Sequence, residues 1–185
     1  FTVNDSDQCY SQNVFKFTNT STITTGTVTA KWSFGNGNNS TTYNPTYTYP
    51  VYGNYIAKLR AVSNYGCTDS ITKSIIVYPM PVVKIQVNDT DQCINQQKFV
   101  FTDISTIPYG STIRKWMFHD SSSVNGVVNR TYPKDTFYYV KLIKTSQYGC
   151  IDSARRKMIL FTKPNPSYTL NDSDQCLRWN TFILT

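Results

Sequence analysis

Three copies of one hexapeptide pattern, Asn4-Asp-Ser-Asp-Gln-Cys9, Asn88-Asp-Thr-Asp-Gln-Cys93 and Asn171-Asp-Ser-Asp-Gln-Cys176, divide the chain into steps of 84 and then 83 residues, counted between the Asn positions. A period of that length holds a small domain rather than a single supersecondary unit. The 185 residues therefore read as two complete repeats, 1–81 and 82–166, followed by 167–185 as the start of a third. Asn180-Thr-Phe-Ile-Leu-Thr185 aligns with Asn13-Val-Phe-Lys-Phe-Thr18, so the last stretch is expected to stop inside its second strand. A fragment that short closes no core of its own, and its order is expected to come from docking on a neighbour.

Within the first repeat, Phe15-Lys-Phe17-Thr-Asn, Val28-Thr-Ala30-Lys-Trp32-Ser-Phe34 and Tyr55-Ile-Ala57-Lys-Leu59-Arg-Ala61 alternate apolar and polar residues. The second repeat answers with Phe99-Val-Phe101, Ile113-Arg-Lys-Trp116-Met-Phe118 and Tyr138-Tyr-Val140-Lys-Leu142. A period of two belongs to strands with one face on a core. All eleven acids are Asp, Glu is absent, and Thr, Ser, Asn and Tyr abound; this composition disfavours helix and supplies strands and turns. The prediction is an all-β chain of tandem antiparallel sandwiches with almost no helix. Trp32 and Trp116 hold the same repeat position and are expected to be core aromatics rather than binding residues. Pro79-Met-Pro81 and Pro164-Asn-Pro166 fall where one repeat hands over to the next, and two fixed φ angles in three residues predict stiff joints and a rod-like array.

The formal charge is +7 with a pI near 9.1, but it is uneven: five Lys and Arg stand against three Asp in residues 1–83, and twelve against six in residues 84–166. A nucleic-acid footprint shared by the repeats would not alternate in this way, so no nucleic-acid partner is expected. No apolar run is long enough to span a bilayer; membrane insertion is not expected in this segment, and a signal or anchor is expected outside it because Phe1 already falls inside a repeat. Cysteines at recurring positions (Cys9, Cys67, Cys93, Cys150 and Cys176) in a polar β-array predict an oxidising, extracellular setting.

Catalytic chemistry finds little to work with. The one histidine, His119, stands in a loop that replaces Gly35 of the first repeat, and no recurring Ser or Cys could use it as a base. No Gly-rich phosphate loop opens a helix. The chain reads as a non-enzyme that requires no cofactor. Asp5 and Asp7, and again Asp89 and Asp91, are carboxylates two residues apart, the beginning of many Ca2+ loops. Neither pair continues into Asp-Gly or a bidentate Glu, and Asx turns explain the same residues without an ion. Both readings stand.

In Trp32-Ser-Phe-Gly-Asn-Gly37, Tyr47-Thr-Tyr49, Gly53-Asn-Tyr55 and Tyr65-Gly66-Cys67 the chain resembles the PKD domain family. That family's pattern runs Trp-Asp-Phe-Gly-Asp-Gly, Tyr-x-Tyr, Gly-x-Tyr-x-Val-x-Leu and, in Bacteroidota, Asn-x-x-Gly-Cys. Ser33 and Asn36 stand where the family has Asp, and the second repeat departs further, with Trp116-Met-Phe118-His-Asp-Ser and with Thr136 in place of Gly53. The resemblance implies immunoglobulin-like sandwiches. In that strand order Cys9 and Cys67 lie at opposite ends of two strands running the same way, so the resemblance implies a bond between repeats, Cys9 with Cys150. Cys93, Cys67 and Cys176 would then face further repeats. Internal pairing, Cys9 with Cys67 and Cys93 with Cys150, stays open, since the strand order comes from the resemblance alone. A Cys9–Cys150 bond would bring Asp152 towards Asp5 and Asp7, and three carboxylates at one joint would invite Ca2+. Asp69-Ser70-Ile71 and Asp152-Ser153-Ala154 match the short O-glycosylation pattern of Bacteroidota, which makes Ser70 and Ser153 candidate acceptors; the plainer reading is a turn into the last strand. The Asn-x-Ser/Thr sites at Asn19 and Asn129 carry little weight in so Asn-rich a chain.

Such repeats look like the stalks of giant Bacteroidota surface adhesins, including those of gliding motility. The resemblance thus implies an extracellular, cell-surface segment whose partners are neighbouring repeats, with surface polysaccharide or the substratum reached through a distal region. An accessory carbohydrate-binding module of a secreted hydrolase, which would need an exposed aromatic strip, and a surface-layer or sheath protein are the alternatives.

Overall fold

In a computed structural model, described for residues 1–118, 122–123, 128–175, 177–178 and 181–184, the chain forms strands and, among those residues, no helix. The first repeat contributes β1 (Thr2–Val3), β2 (Asp7–Cys9), β3 (Phe15–Thr18), β4 (Val28–Ser33), β5 (Asn39–Ser40), β6 (Thr46–Tyr47), β7 (Gly53–Ser63) and β8 (Thr68–Tyr78). The second contributes β9 (Ile85–Val87), β10 (Asp91–Cys93), β11 (Phe99–Asp103), β12 (Thr112–Met117), β13 (Ser122–Ser123), β14 (Val128–Arg130), β15 (Phe137–Ser146) and β16 (Ile151–Phe161). Each repeat makes two sheets of the same design. One has the order β1-β3-β6 or β9-β11-β14, and the other β2-β8-β7-β4-β5 or β10-β16-β15-β12-β13. The long hairpins β7–β8 and β15–β16 are antiparallel throughout, pairing Gly53 with Val77 through Val62 with Thr68, and Phe137 with Ile159 through Thr145 with Ile151.

One pairing in each repeat departs from the antiparallel expectation. Thr2–Val3 pairs antiparallel to β3, but Asp7–Cys9 pairs parallel to β8, and Asp91–Cys93 does the same with β16. The first stretch of each repeat crosses from one sheet to the other without reversing, so it meets the last strand running in its own direction. The crossing is made by the Asn-Asp-x part of the hexapeptide.

The alternating residues supply the cores. Phe15, Phe17, Trp32, Phe34, Tyr49, Leu59, Ile75 and Val77 form one cluster, and Phe99, Phe101, Trp116, Phe118, Tyr132, Val140, Leu142, Met158 and Leu160 another. Trp32 and Trp116 are buried in the same register, each opposite a Leu of the neighbouring strand, Leu59 and Leu142. Each indole Nε1 is buried without a hydrogen-bond partner, so these rings are held by packing and not by a polar contact. Gly35 explains the Phe-Gly step after Trp32: its φ is +82°, and a Cβ there would lie 2.7 Å from the Ile56 carbonyl oxygen on β7. No other residue fits that approach without moving the strand.

The second repeat also buries an ion pair. Lys144 on β15, 8% exposed, donates from Nζ to Asp103 Oδ2 at 2.8 Å, and Arg114 Nη1 lies 3.7 Å from the same oxygen. Burial pushes the Asp103 carboxyl up, but hydrogen bonds from Lys144 and Ser105 outweigh it and hold the group below the ordinary carboxylate range. The described residues from 162 onward are exposed apart from Gln175, and their only ladder contact is an isolated antiparallel bridge between Leu170 and Leu184.

Candidate functional site

The hexapeptide turns out to be a clip made of side-chain amides. Asn4 Nδ2 donates to the Val14 carbonyl at 3.2 Å while its Oδ1 accepts from Lys16 N–H at 2.7 Å. Gln8 Nε2 donates to the same Val14 carbonyl at 3.1 Å and its Oε1 accepts from Val14 N–H at 2.8 Å. Asn88 and Gln92 repeat the pattern on Lys98 and Val100, with Asn88 at 2.8 Å to the Lys98 carbonyl and 2.8 Å from the Val100 N–H. Asn171 and Gln175 repeat it again on Thr181 and Ile183, both Asn171 bonds being 3.0 Å. Only a carboxamide offers a donor and an acceptor side by side, as a backbone peptide does. In the two complete repeats the clip therefore continues the ladder across the sheet-switching bend. A second amide ties the far end of the same segment: buried Asn13 bonds both the N–H and the carbonyl of Tyr49, and Gln97 does the same for Tyr132.

The Asp residues of the hexapeptide are turn residues. Asp5 Oδ1 accepts from Asp7 N–H at 3.2 Å, Asp89 from Asp91 at 3.0 Å, and Asp172 from Asp174 at 3.0 Å. Asp7 Oδ2 accepts from the Tyr78 hydroxyl at 3.3 Å, and Asp152 accepts from Ser153 N–H at 2.8 Å. Among the described residues no three His, Cys, Asp or Glu side chains come together as a metal cluster. Asp5, Asp7 and Asp152 are thus not assembled into a three-carboxylate set, nor do Asp89 and Asp91 gain a third acid.

The two repeats meet at Cys9 and Cys150. The structure joins them in a disulfide with Cα atoms 5.5 Å apart and a sequence separation of 141 residues, inside the Cα range such bonds need. Cys9 is presented by β2, whose parallel register sets it opposite Tyr78. Cys150 follows a tight turn in which Gly149, at φ +81°, donates to the Ser146 carbonyl at 2.9 Å, while Ser146 Oγ accepts from Cys150 N–H at 3.1 Å. Around the sulfurs runs a chain of rings. Tyr78 stacks on Tyr148 with centroids 4.0 Å apart and planes 7° from parallel, Tyr109 meets Tyr148 edge-on at 6.2 Å, and Tyr52 meets Tyr109 at 6.1 Å. Gly110, at φ +84°, lets Tyr148 lie close, since a Cβ there would be 3.1 Å from the ring. Burial, and then the Asp7 carboxylate, push the Tyr78 phenol above its ordinary value; burial and the neighbouring Tyr148 and Tyr52 do the same to Tyr109. Pro79 and Pro81 are buried at this junction, whereas Pro164 and Pro166 are exposed. The arrangement holds two cores together by a covalent bond, stacked rings and two fixed φ angles, and it places no nucleophile beside a base.

The remaining candidates are dispersed. Cys67 and Cys93 are free and exposed, while Cys176 and His119 lie outside the described residues. Ser70 and Ser153 are exposed on β8 and β16, each donating its N–H to the preceding Asp, at 2.7 and 2.8 Å; both lie in the strand rather than in a turn. Asn19 is buried, while Asn129 lies exposed on β14. Sequence reasoning missed the amide clips and the tyrosine chain. The signal for the clips was present: Asn and Gln are identical in all three hexapeptides, and the calcium reading used neither.

Residues 2–77 match the family model described as PKD domain. Similar solved structures include the PKD1 domain of Vibrio anguillarum Epp, 16% identical, with a TM-score of 0.39 over 45% of this chain and 96% of that one. The PKD1 domain from Vibrio cholerae metalloprotease PrtV is 18% identical, with a TM-score of 0.38 over 44% of this chain and 96% of its own. The I-band fragment I67–I69 from titin is 11% identical, with a TM-score of 0.43 over 95% of this chain and 78% of its own. No curated protein matches the chain.

Proposed function

We propose, starting from the PKD domain recognised at residues 2–77, that this chain is a stalk segment of a long extracellular cell-surface adhesin, of the kind used in attachment or gliding, in which repeats set reach and stiffness. The observation that carries the reading is the junction: Cys9–Cys150 crosses from one core to the other beside buried Pro79 and Pro81. A module whose work lay within its own fold would need no such tie. The setting is oxidising and outside the cell, since the bond would be reduced in a cytosol. No helix among the described residues is long and apolar enough to cross a membrane. The partners are neighbouring repeats, and a distal region makes the contact with polysaccharide or substratum.

The test is carried out on producing cells. Antibody to this segment should decorate intact cells, and the Cys9→Ser/Cys150→Ser variant should attach less well at unchanged surface abundance. Recovery of the segment only in the culture fluid, in company with a hydrolase activity, would refute the stalk.

A second reading, an accessory carbohydrate-binding module, has one observation in its favour. Phe137 and Tyr139 sit side by side on the outward face of β15, 55% and 39% exposed, with Lys157 Nζ 4.9 Å and the Arg155 guanidinium 4.3 Å from their ring centroids. Retention on insoluble polysaccharides that is lost on Phe137→Ala/Tyr139→Ala would favour this reading over the stalk.

A further inference from the structure

The junction at Cys9–Cys150 has two halves, and each half recurs once around a free cysteine, Cys67 or Cys93. The half around Cys150 consists of the Ser146–Cys150 turn, Tyr148, and a glycine under the ring. The same turn is built at Ser63–Cys67: Gly66 is at φ +84° and donates to the Ser63 carbonyl at 3.0 Å, and Ser63 Oγ accepts from Cys67 N–H at 3.0 Å. Gly26 lies beneath Tyr65, with a notional Cβ 3.1 Å from its ring, as Gly110 lies beneath Tyr148. Asn64 Oδ1 accepts from Thr27 N–H at 3.0 Å where Gln147 Oε1 accepts from Ser111 N–H at 2.9 Å. Yet Tyr65 is 70% exposed and Cys67 is free, whereas Cys150 is fully buried. The half around Cys9 consists of a cysteine in parallel register with Tyr78, closed by Tyr10 N–H to the Tyr78 carbonyl at 2.8 Å. It recurs as Cys93 in register with Phe161, closed by Ile94 N–H to the Phe161 carbonyl at 3.0 Å. Here too the cysteine is free and the aromatic ring 52% exposed.

Since the filled joint takes one half from each kind of end, we infer that Cys67 and Cys93 are complementary halves of a second joint of the same design, through which this chain binds another copy of itself head to tail. Cys67 of one copy bonds Cys93 of the next, and Tyr65 covers Phe161 as Tyr148 covers Tyr78. Bond formation removes one proton and one electron from each thiol. A small disulfide such as oxidised glutathione takes them up, its own S–S bond being cleaved to two thiols. Each repeat is then a two-ended connector, with a strand-borne cysteine at one end and a turn-borne cysteine at the other. This deepens the stalk reading but needs only the junction. A chain that polymerises in this way without any role in attachment would leave the inference standing and remove the reading.

The test uses residues 1–185 with Cys176→Ser, incubated in a reduced and oxidised glutathione buffer and resolved without reductant. The expected result is a ladder of dimers and higher species whose linking peptides join Cys67 to Cys93. Adding Cys67→Ser or Cys93→Ser should each leave monomers, whereas an equimolar mixture of those two variants should stop at dimers. Tyr65→Ala should lower the yield several-fold, while Tyr43→Ala, a change at another exposed ring, should not. A ladder absent under these conditions, dimers of Cys93→Ser alone through Cys67–Cys67, or equal yields from Tyr65→Ala and Tyr43→Ala would overturn the inference.

Discussion

Replacing Cys9 and Cys150 together by Ser removes a covalent tie between the two cores, and its effect can be estimated from chain entropy. With the bonded positions 141 residues apart in sequence, cross-linking the fully unfolded chain is worth about 5 kcal/mol in the loop-closure model. More informative is the case in which one repeat unfolds while the other holds. The flexible part of the loop is then about 70 residues, and the logarithm lowers the figure only to about 4.4 kcal/mol. Each repeat therefore carries most of the stabilisation by itself. With a urea slope of about 1–2 kcal/mol per molar for a domain of this size, the double variant should lose roughly 2–4 M in the midpoint of both repeats. Trp32 and Trp116 report on separate cores, so a Trp179→Phe background with either Trp116→Phe or Trp32→Phe follows one repeat at a time. Fluorescence midpoints are compared with and without the two Ser substitutions in each background. Midpoints that agree within about 0.5 M on either reporter would show that the bond does not restrain that repeat, and the entropy argument would fail.

Four other outcomes follow from the same geometry. Trp32→Ala should cost about 3–5 kcal/mol in denaturant titration, and Trp32→Phe much less, because the indole N–H it deletes is buried and unpaired. Gly35→Ala should destabilise the first repeat by more than about 2 kcal/mol, the positive φ being compounded by a 2.7 Å approach to β7, whereas Gly37→Ala, at φ +90° with open space, should show the φ cost alone; equal melts would contradict this. Asp103 has a lowered folded pKa, so its contribution is present above the unfolded carboxylate value and fades as pH falls through the folded one. Acid should thus weaken the Trp116-reported repeat in wild type, and an unchanged pH slope in Asp103→Asn would count against the pair. Asn4→Ala/Gln8→Ala should speed amide exchange at Val14 and Lys16 and leave the β7–β8 hairpin protected; persistent protection at those two amides would show that the clip does not hold them.

Alternation was enough to find β3, β4, β7, β11, β12 and β15, because each of these places one face on a core and the period is written in its residues. The hexapeptide strands β2 and β10 were opaque. Their three residues have no alternation to read; their place in the sheet is a parallel register with β8 and β16, and the amides that tie the preceding bend to the other sheet reach across 10 and 12 residues of sequence. Cysteine identity alone left the pairing open. Knowing which ends meet requires strand order, and the parallel register of Cys9 with Tyr78 supplies it. The tyrosine chain was hidden by abundance: with 14 tyrosines, nothing local distinguishes Tyr78 or Tyr148 from those on an open face.

The position of the disulfide changes what a pull on this chain would meet. Tension applied at the two ends runs from Phe1 to Cys9, crosses the sulfurs, and leaves through Cys150. Residues 10–149 hang from that path as a slack side branch. At about 3.3–3.6 Å per extended residue, the shielded stretch amounts to roughly 460–500 Å of contour that no force on the ends can draw out while the bond stands. The sandwiches need not resist unravelling to keep the segment short; they only hold the cysteines in register until the bond has formed. Extensibility then depends on thiol chemistry, and a reductant would lengthen under load what heat or denaturant alone could only soften.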